Sequence, residues 1–189
     1  MKTQIWAHRG ASAYAPENTL EAFRLAAEMG ADGVELDVQL SRDGELVVAH
    51  DETIDRVSNG TGYIKDYTLA QLKELSFNRL FPAFKDARIP TLKEVYELLK
   101  PGGLTVNVEL KTGIILYPEI EEKVLALTAS MGMEDRVIYS SFCHPSLVRL
   151  KELDSGLKTG LLYSDGWIDA AAYGRHTVGV LSLIHISEP

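Results

Sequence analysis

Two acidic residues stand two apart in Glu35-Leu36-Asp37, within a stretch where Val34, Leu36, Val38 and Leu40 alternate with other residues. A period of two predicts a strand over 33–40, and on a strand positions i and i+2 face the same side. Neighbouring carboxylates on one face repel each other and are costly to bury ionised. A divalent cation removes that conflict, and hard oxygen donors suit magnesium or calcium better than zinc. A third carboxylate, Glu109, comes from Asn107-Val108-Glu109-Leu110-Lys111, where Glu109 and Lys111 again share a face. A solvated strand face would be the plain alternative. The apolar companion face and the gathering of polar residues at three strand ends speak against it.

Two histidines complete the set. His8-Arg9-Gly10 ends the first predicted strand, and His50-Asp51 follows the apolar run 46–49. Imidazoles change charge near neutral pH, so the pair suits general acid and general base work. Asp51 fits equally an orienting partner for His50 or a turn cap. Arg9 and Lys111 offer positive charge to a phosphoryl oxygen, arginine bidentately. Phe142, after Ser140-Ser141, suits either a small substrate pocket or the core, and Trp167 is a weaker candidate. His144 reads as a helix-start residue, Cys143 as a small buried side chain, and Gly60-Thr61-Gly62 as a plain turn.

These residues need a scaffold that brings strand ends together. Apolar runs alternate with helical patterns: strands over 5–7, 33–40, 46–49, 104–110, 136–140 and 157–163, and helices over 18–29, 91–100, 117–131 and 145–153, with a weak one at 168–173. Asn18 with Glu21, and Thr91 with Glu94, have capping-box spacing. Residues 51–90 break the rhythm, apart from a helical piece at 69–75, and read as an insertion. Repeated strand–helix units imply a parallel sheet covered by helices. About five units are visible, where an eight-fold barrel takes ~250 residues. No glycine-rich dinucleotide fingerprint follows the first strand.

The 189 residues are 46% hydrophobic and 24% charged, with 27 acidic against 19 basic residues, a net charge of −8. No basic stripe marks a nucleic-acid surface. No apolar run reaches the ~20 residues that a membrane span needs, and the first residues carry no export signal. The single cysteine excludes an internal disulfide and fits a reducing, cytoplasmic setting.

In this order, His8-Arg9-Gly10, Pro16-Glu17-Asn18-Thr19, Glu35-Leu36-Asp37, Asp43-Gly44, His50-Asp51, Ile89-Pro90-Thr91-Leu92, Glu109-Leu110-Lys111 and Ser140-Ser141-Phe142 resemble the glycerophosphodiester phosphodiesterase family. The resemblance covers residues 4 to about 175. It implies an α/β fold, a (β/α) TIM-type barrel with a small insertion after the second barrel strand. It implies one divalent cation, Mg2+ or Ca2+, on Glu35, Asp37 and Glu109, acid–base catalysis by His8 and His50, and Arg9 and Lys111 on the phosphate. The implied reaction hydrolyses a small-molecule glycerophosphodiester to glycerol 3-phosphate and an alcohol. In related enzymes the neighbouring glycerol hydroxyl attacks first, giving a cyclic phosphate.

The family's later Trp-Thr and Thr-Asp motifs are absent, which implies a barrel incomplete at its C-terminus. Residues 181–189 continue no pattern and resemble a translated sequencing adapter, so the expected division is a partial barrel over 1–180 and a non-native tail over 181–189, a real final strand being the alternative. Two competing readings remain at this point: Lys111 as a Schiff-base lysine, and a non-catalytic chain, either a barrel used only for binding or an inactive fragment.

Overall fold

A computed structural model describes residues 3–164 and 166–180 and the backbone of 182–185. Its strands are β1 (Trp6–His8), β2 (Gly33–Leu40), β3 (Leu46–Val48), β4 (Thr105–Leu110), β5 (Val137–Ser141), β6 (Thr159–Tyr163) and β7 (Ser182–His185). Its helices are α1 (Leu20–Glu28), α2 (Leu69–Glu74), α3 (Leu92–Leu99), α4 (Ile120–Met131), α5 (His144–Leu153) and α6 (Ala170–Tyr173), the last continuing as a π turn over Gly174–Val178. The sheet order is β1-β2-β4-β5-β6-β7, every one of these pairs parallel, with β3 antiparallel to β2. Helices join successive parallel strands, which is the wiring of a (β/α) barrel left incomplete.

The alternation in β2 sets its two faces. Val34, Leu36 and Val38 are fully buried with their partners Val106, Val108 and Leu110 of β4, in a core that includes Phe23, Val95, Tyr96, Ile120 and Val124 from the helices. Glu35, Asp37 and Gln39 fall on the other face. β1 pairs with the first half of β2, through His8 opposite Glu35, and β3 with its second half, from Val38 to Leu40. β2 therefore runs on past the ends of its parallel neighbours, and Asp37 lies inside the strand yet level with the end of β4.

The segment after β3 folds around its own small core of Val47, Ala49, Ile54, Ile64, Leu72, Phe77 and Ile89. It is the insertion after the second barrel strand. Thr68 with Gln71 caps α2 reciprocally, and Thr91 with Glu94 does the same for α3. The cap of α1 differs from expectation. Thr19, not Asn18, accepts the N–H of Ala22, because Asn18 takes a left-handed backbone (φ 56°) and turns its amide inward.

Residues 182–185 extend the sheet in parallel register with β6, as the alternative of a final strand has it. An exposed strand edge offers unpaired N–H and C=O groups to a segment able to extend. Residues 181 and 186–189 lie outside the described residues. Among the described residues no helix is long and apolar enough to cross a membrane.

Candidate active site at the strand ends

Register builds the centre. Asp37 stands opposite Glu109, and Glu35 opposite both His8 and Asn107, so side chains from three strands meet on one face. One oxygen each from Glu35, Asp37 and Glu109 lies within 4.8 Å of the others. Asp37 is 0% exposed and Glu109 5%. Glu35 Oε1 and Asp37 Oδ1 are buried without a hydrogen bond among the described residues. Burial, reinforced by the charges of Asp37 and Glu109, pushes the Glu35 carboxyl well above its usual range. Burial and the Asp37 charge raise Glu109 to about 7. Such a group of hard, partly unpartnered oxygens fits a divalent cation of the magnesium or calcium kind.

Cationic side chains surround the acids. Lys111 Nζ is 3.1 Å from Glu109 Oε1 and 3.8 Å from Asp37 Oδ1. Burial alone would lower the Lys111 pKa, but those two carboxylates outweigh it and raise it. A lysine held protonated is a poor amine nucleophile, which counts against the Schiff-base reading. Arg9 Nε lies 3.5 Å from Asp37 Oδ2. Its own backbone is left-handed (φ 57°), and its N–H donates to the Glu35 carbonyl and to Glu35 Oε2. Asn18, also left-handed, donates its N–H to the Arg9 carbonyl and its amide to Asp37 Oδ2 at 2.8 Å. Two consecutive links thus hold strained residues against the acids.

The imidazoles flank this cluster. His8 Nε2 is 3.7 Å from Glu35 Oε2. Partial burial and then the Arg9 charge lower its pKa, against the pull of Asp37. His50 is close enough for its charge to bear on both His8 and Glu109. Its Nδ1 lies 2.7 Å from Asp51 Oδ1. An ionised carboxylate only accepts, so Nδ1 carries the proton and Nε2 is the basic nitrogen. Of the two roles open to Asp51, the geometry is that of the orienting partner. The bond to His50, with help from Arg56, holds the Asp51 carboxyl far below the usual range.

Phe142 lies one strand further round, just past β5, and is 37% exposed. Trp167 packs instead with His144, Tyr163 and Tyr173. His144 does begin α5, and its ring also bonds Tyr173 Oη and the Leu162 carbonyl.

Several participants escaped the sequence reading. Gln39, fully buried, donates its amide to the carbonyls of Ala49, His50 and Asp51 and accepts from Tyr117 Oη. Its parity with Glu35 and Asp37 was an available signal. Glu17 accepts from Arg9 Nη1 at 3.3 Å and bidentately from Arg56 at 2.7 and 2.8 Å. Burial raises the Glu17 carboxyl, but the two arginines outweigh it, Arg56 foremost, and lower it.

Fold and site together define a (β/α)-barrel enzyme that gathers carboxylates, imidazoles and cationic side chains at its strand ends, a set suited to phosphoryl chemistry. The chain belongs to the glycerophosphoryl diester phosphodiesterase family, whose model matches residues 8–180, and it is a phosphoric diester hydrolase of that family. A glycerophosphodiester phosphodiesterase of Caldanaerobacter subterraneus subsp. tengcongensis is 52% identical over 170 residues, which are 89% of this chain and 70% of that one. One from Bacillus altitudinis is 44% identical over 165 residues, 86% of this chain and 67% of that protein. Among solved structures, a glycerophosphodiester phosphodiesterase from Agrobacterium tumefaciens superposes with a TM-score of 0.83 at 34% identity, over 96% of this chain and 75% of its own. An Oleispira antarctica phosphodiesterase in complex with its product sn-glycerol-3-phosphate gives 0.83 at 32% identity, over 96% and 74%.

Proposed function

We propose that this chain hydrolyses glycerophosphodiesters to glycerol 3-phosphate and an alcohol, with His8 and His50 as the acid–base pair and a divalent cation, Mg2+ or Ca2+, on Glu35, Asp37 and Glu109. The observation that carries this reading is the convergence of three carboxylates, Asp37 and Glu109 buried and Glu35 partly so, two of them with an oxygen lacking a hydrogen bond, beside both imidazoles. The Oleispira relative with bound sn-glycerol-3-phosphate supports the product.

When bound, the cation supplies Lewis-acid stabilisation of charge on the phosphoryl oxygens. Arg9 and Lys111 bring further positive charge to the same place. His50, held by Asp51 with Nε2 basic, is placed to take or return a proton. His8, more exposed and with a lowered pKa, is the complementary group, 3.7 Å from Glu35. One imidazole removes the proton of the attacking oxygen, and the other protonates the departing alcohol. Phe142, at the same rim, is placed to line the glycerol end of the substrate. The single free cysteine, Cys143, supports a cytoplasmic location.

The test is release of glycerol 3-phosphate from glycerophosphocholine or glycerophosphoethanolamine. EDTA should abolish turnover and added Mg2+ or Ca2+ should restore it. His8→Ala and His50→Ala should each slow it by ~100-fold or more. Undiminished turnover in EDTA would remove the cation from the scheme, and near-normal turnover by either variant would remove that histidine.

A further inference from the structure

Arg56 lies in the insertion, outside the motifs of the sequence, and its guanidinium makes four hydrogen bonds beside the site. Nε donates to Asp51 Oδ2 at 2.7 Å and Nη2 to Asp51 Oδ1 at 3.2 Å. Nη1 and Nη2 donate to the two oxygens of Glu17 at 2.7 and 2.8 Å. Each carboxylate is thereby gripped on both oxygens, a geometry that arginine alone among side chains provides. Neither acid is a terminus. Asp51 goes on to hold His50 Nδ1, and Glu17 goes on to hold Arg9 Nη1, whose Nε lies against Asp37.

The backbone that presents Arg56 is fixed from both sides. Ile54, fully buried in the insertion's core, donates its N–H to Gly62, and its carbonyl accepts from Ser58. Arg79 donates its N–H to the Val57 carbonyl and its guanidinium to the Asp55 carbonyl. A Cβ on Gly60 would meet Ile54 and Leu75 at 2.7 Å, so this turn is packed tightly against the core. The Arg56 side chain is itself 40% exposed, so removing it opens no cavity.

We propose that Arg56 is a positioning residue of the reaction: clamped between Asp51 and Glu17, it holds His50 and Arg9 in their working orientations at the same time. The hydrogen bonds of Arg56 go to Asp51 and Glu17, and it acts through these two carboxylates. The insertion after the second barrel strand then has a catalytic use, since this side chain bonds it to the β1–α1 loop at Glu17. Loss of Arg56 leaves Asp51 and Glu17 facing each other without the charge between them, and both are then free to turn away from His50 and Arg9.

This inference rests on the glycerophosphodiesterase reading for its kinetic arm only. Arg56→Ala should lower kcat by about 10- to 100-fold, as loss of a partner behind a site residue commonly does, with little change in KM. Millimolar guanidinium should restore part of that rate, and Arg56→Lys should restore only part, because one ammonium cannot grip both carboxylates. The second arm needs no substrate. Long-range 1H–15N spectra at mildly alkaline pH should find the Nδ1-protonated tautomer of His50 in the unsubstituted protein and a mixture in Arg56→Ala. An active parent enzyme whose Arg56→Ala variant keeps its kcat overturns the proposal. So does a slowed variant that guanidinium does not rescue and whose His50 tautomer is unchanged. If the parent releases no glycerol 3-phosphate, the substrate reading fails by itself. The tautomer then decides on Arg56, an unchanged one against it and a mixed one for it.

Discussion

Asp37 and Glu109 stand directly opposite each other in the register of β2 and β4, with 0% and 5% of their surface exposed. Burial and the Asp37 charge hold the Glu109 carboxyl at about 7, against an ordinary 4.5. In cation-free protein the folded chain therefore binds a proton between those values that the unfolded chain has already lost. Its stability is highest near or below pH 4.5 on this account and falls as pH rises to about 7. The span corresponds to about 3 kcal/mol at most. Thermal midpoints measured in EDTA should decline across that window, Glu109→Gln should flatten the decline, and saturating Mg2+ or Ca2+ should oppose it. A decline of the same size in the variant would show that Glu109 is not its source.

Asn18 ties the β1–α1 loop to the same acids. Its amide donates to Asp37 Oδ2 from a left-handed backbone, so two substitutions separate its two duties. Asn18→Gly accepts the backbone conformation and loses the amide, whereas Asn18→Ala loses both. Each should weaken divalent cation binding by roughly 10- to 100-fold in calorimetric titration, and Asn18→Ala should also melt lower. Cation affinity in Asn18→Gly equal to that of the parent would mean that the amide does not orient Asp37.

Gly10 shows how closely that loop must approach. Its φ is +76°, and a Cβ there would sit 2.7 Å from the Ala22 backbone carbon of α1. Gly10→Ala combines a disfavoured conformation with an overlap against helix backbone, which cannot yield as a side chain would. A loss of about 2 kcal/mol or more in chemical denaturation is expected, together with lower turnover, since His8 and Arg9 precede it directly. A midpoint equal to the parent's would contradict the tight contact.

Much of this could be read from residue order because strands make parity visible. Val34, Leu36 and Val38 mark one face of β2 as core, and Glu35 and Asp37 are conspicuous on the other. The α3 capping box was equally legible, since Thr91 and Glu94 act within a single turn. Asn18 was misread for a related reason. It has cap spacing to Glu21, but a tertiary bond to Asp37 draws it away and Thr19 takes the cap. Glu17 and Arg56 are 39 residues apart and meet only when the insertion folds back, which no local pattern records. The extension of the sheet by 182–185 was open only as an alternative, because strand pairing depends on the open edge of β6 rather than on the segment alone.

Gln39 drew no reading from the sequence, and its bonding predicts a graded series. Two amide protons face three carbonyls, Ala49 at 2.9 Å, His50 at 3.2 Å and Asp51 at 2.7 Å, so at least one proton is shared. Tyr117 Oη donates to Gln39 Oε1 at 2.9 Å and thereby fixes which way the amide points. Tyr117→Phe removes that one donor and should cost about 1 kcal/mol. Gln39→Leu leaves buried carbonyls without a partner and should cost about 2–3 kcal/mol, with a fall in kcat because the bonded loop carries His50. Gln39→Glu should be worst of the three: an ionised carboxylate would face three carbonyl oxygens with no proton to offer. Urea denaturation and turnover of the three variants give the order, and a Gln39→Glu protein as stable and active as Tyr117→Phe would show that the His50 loop is held by something other than this amide.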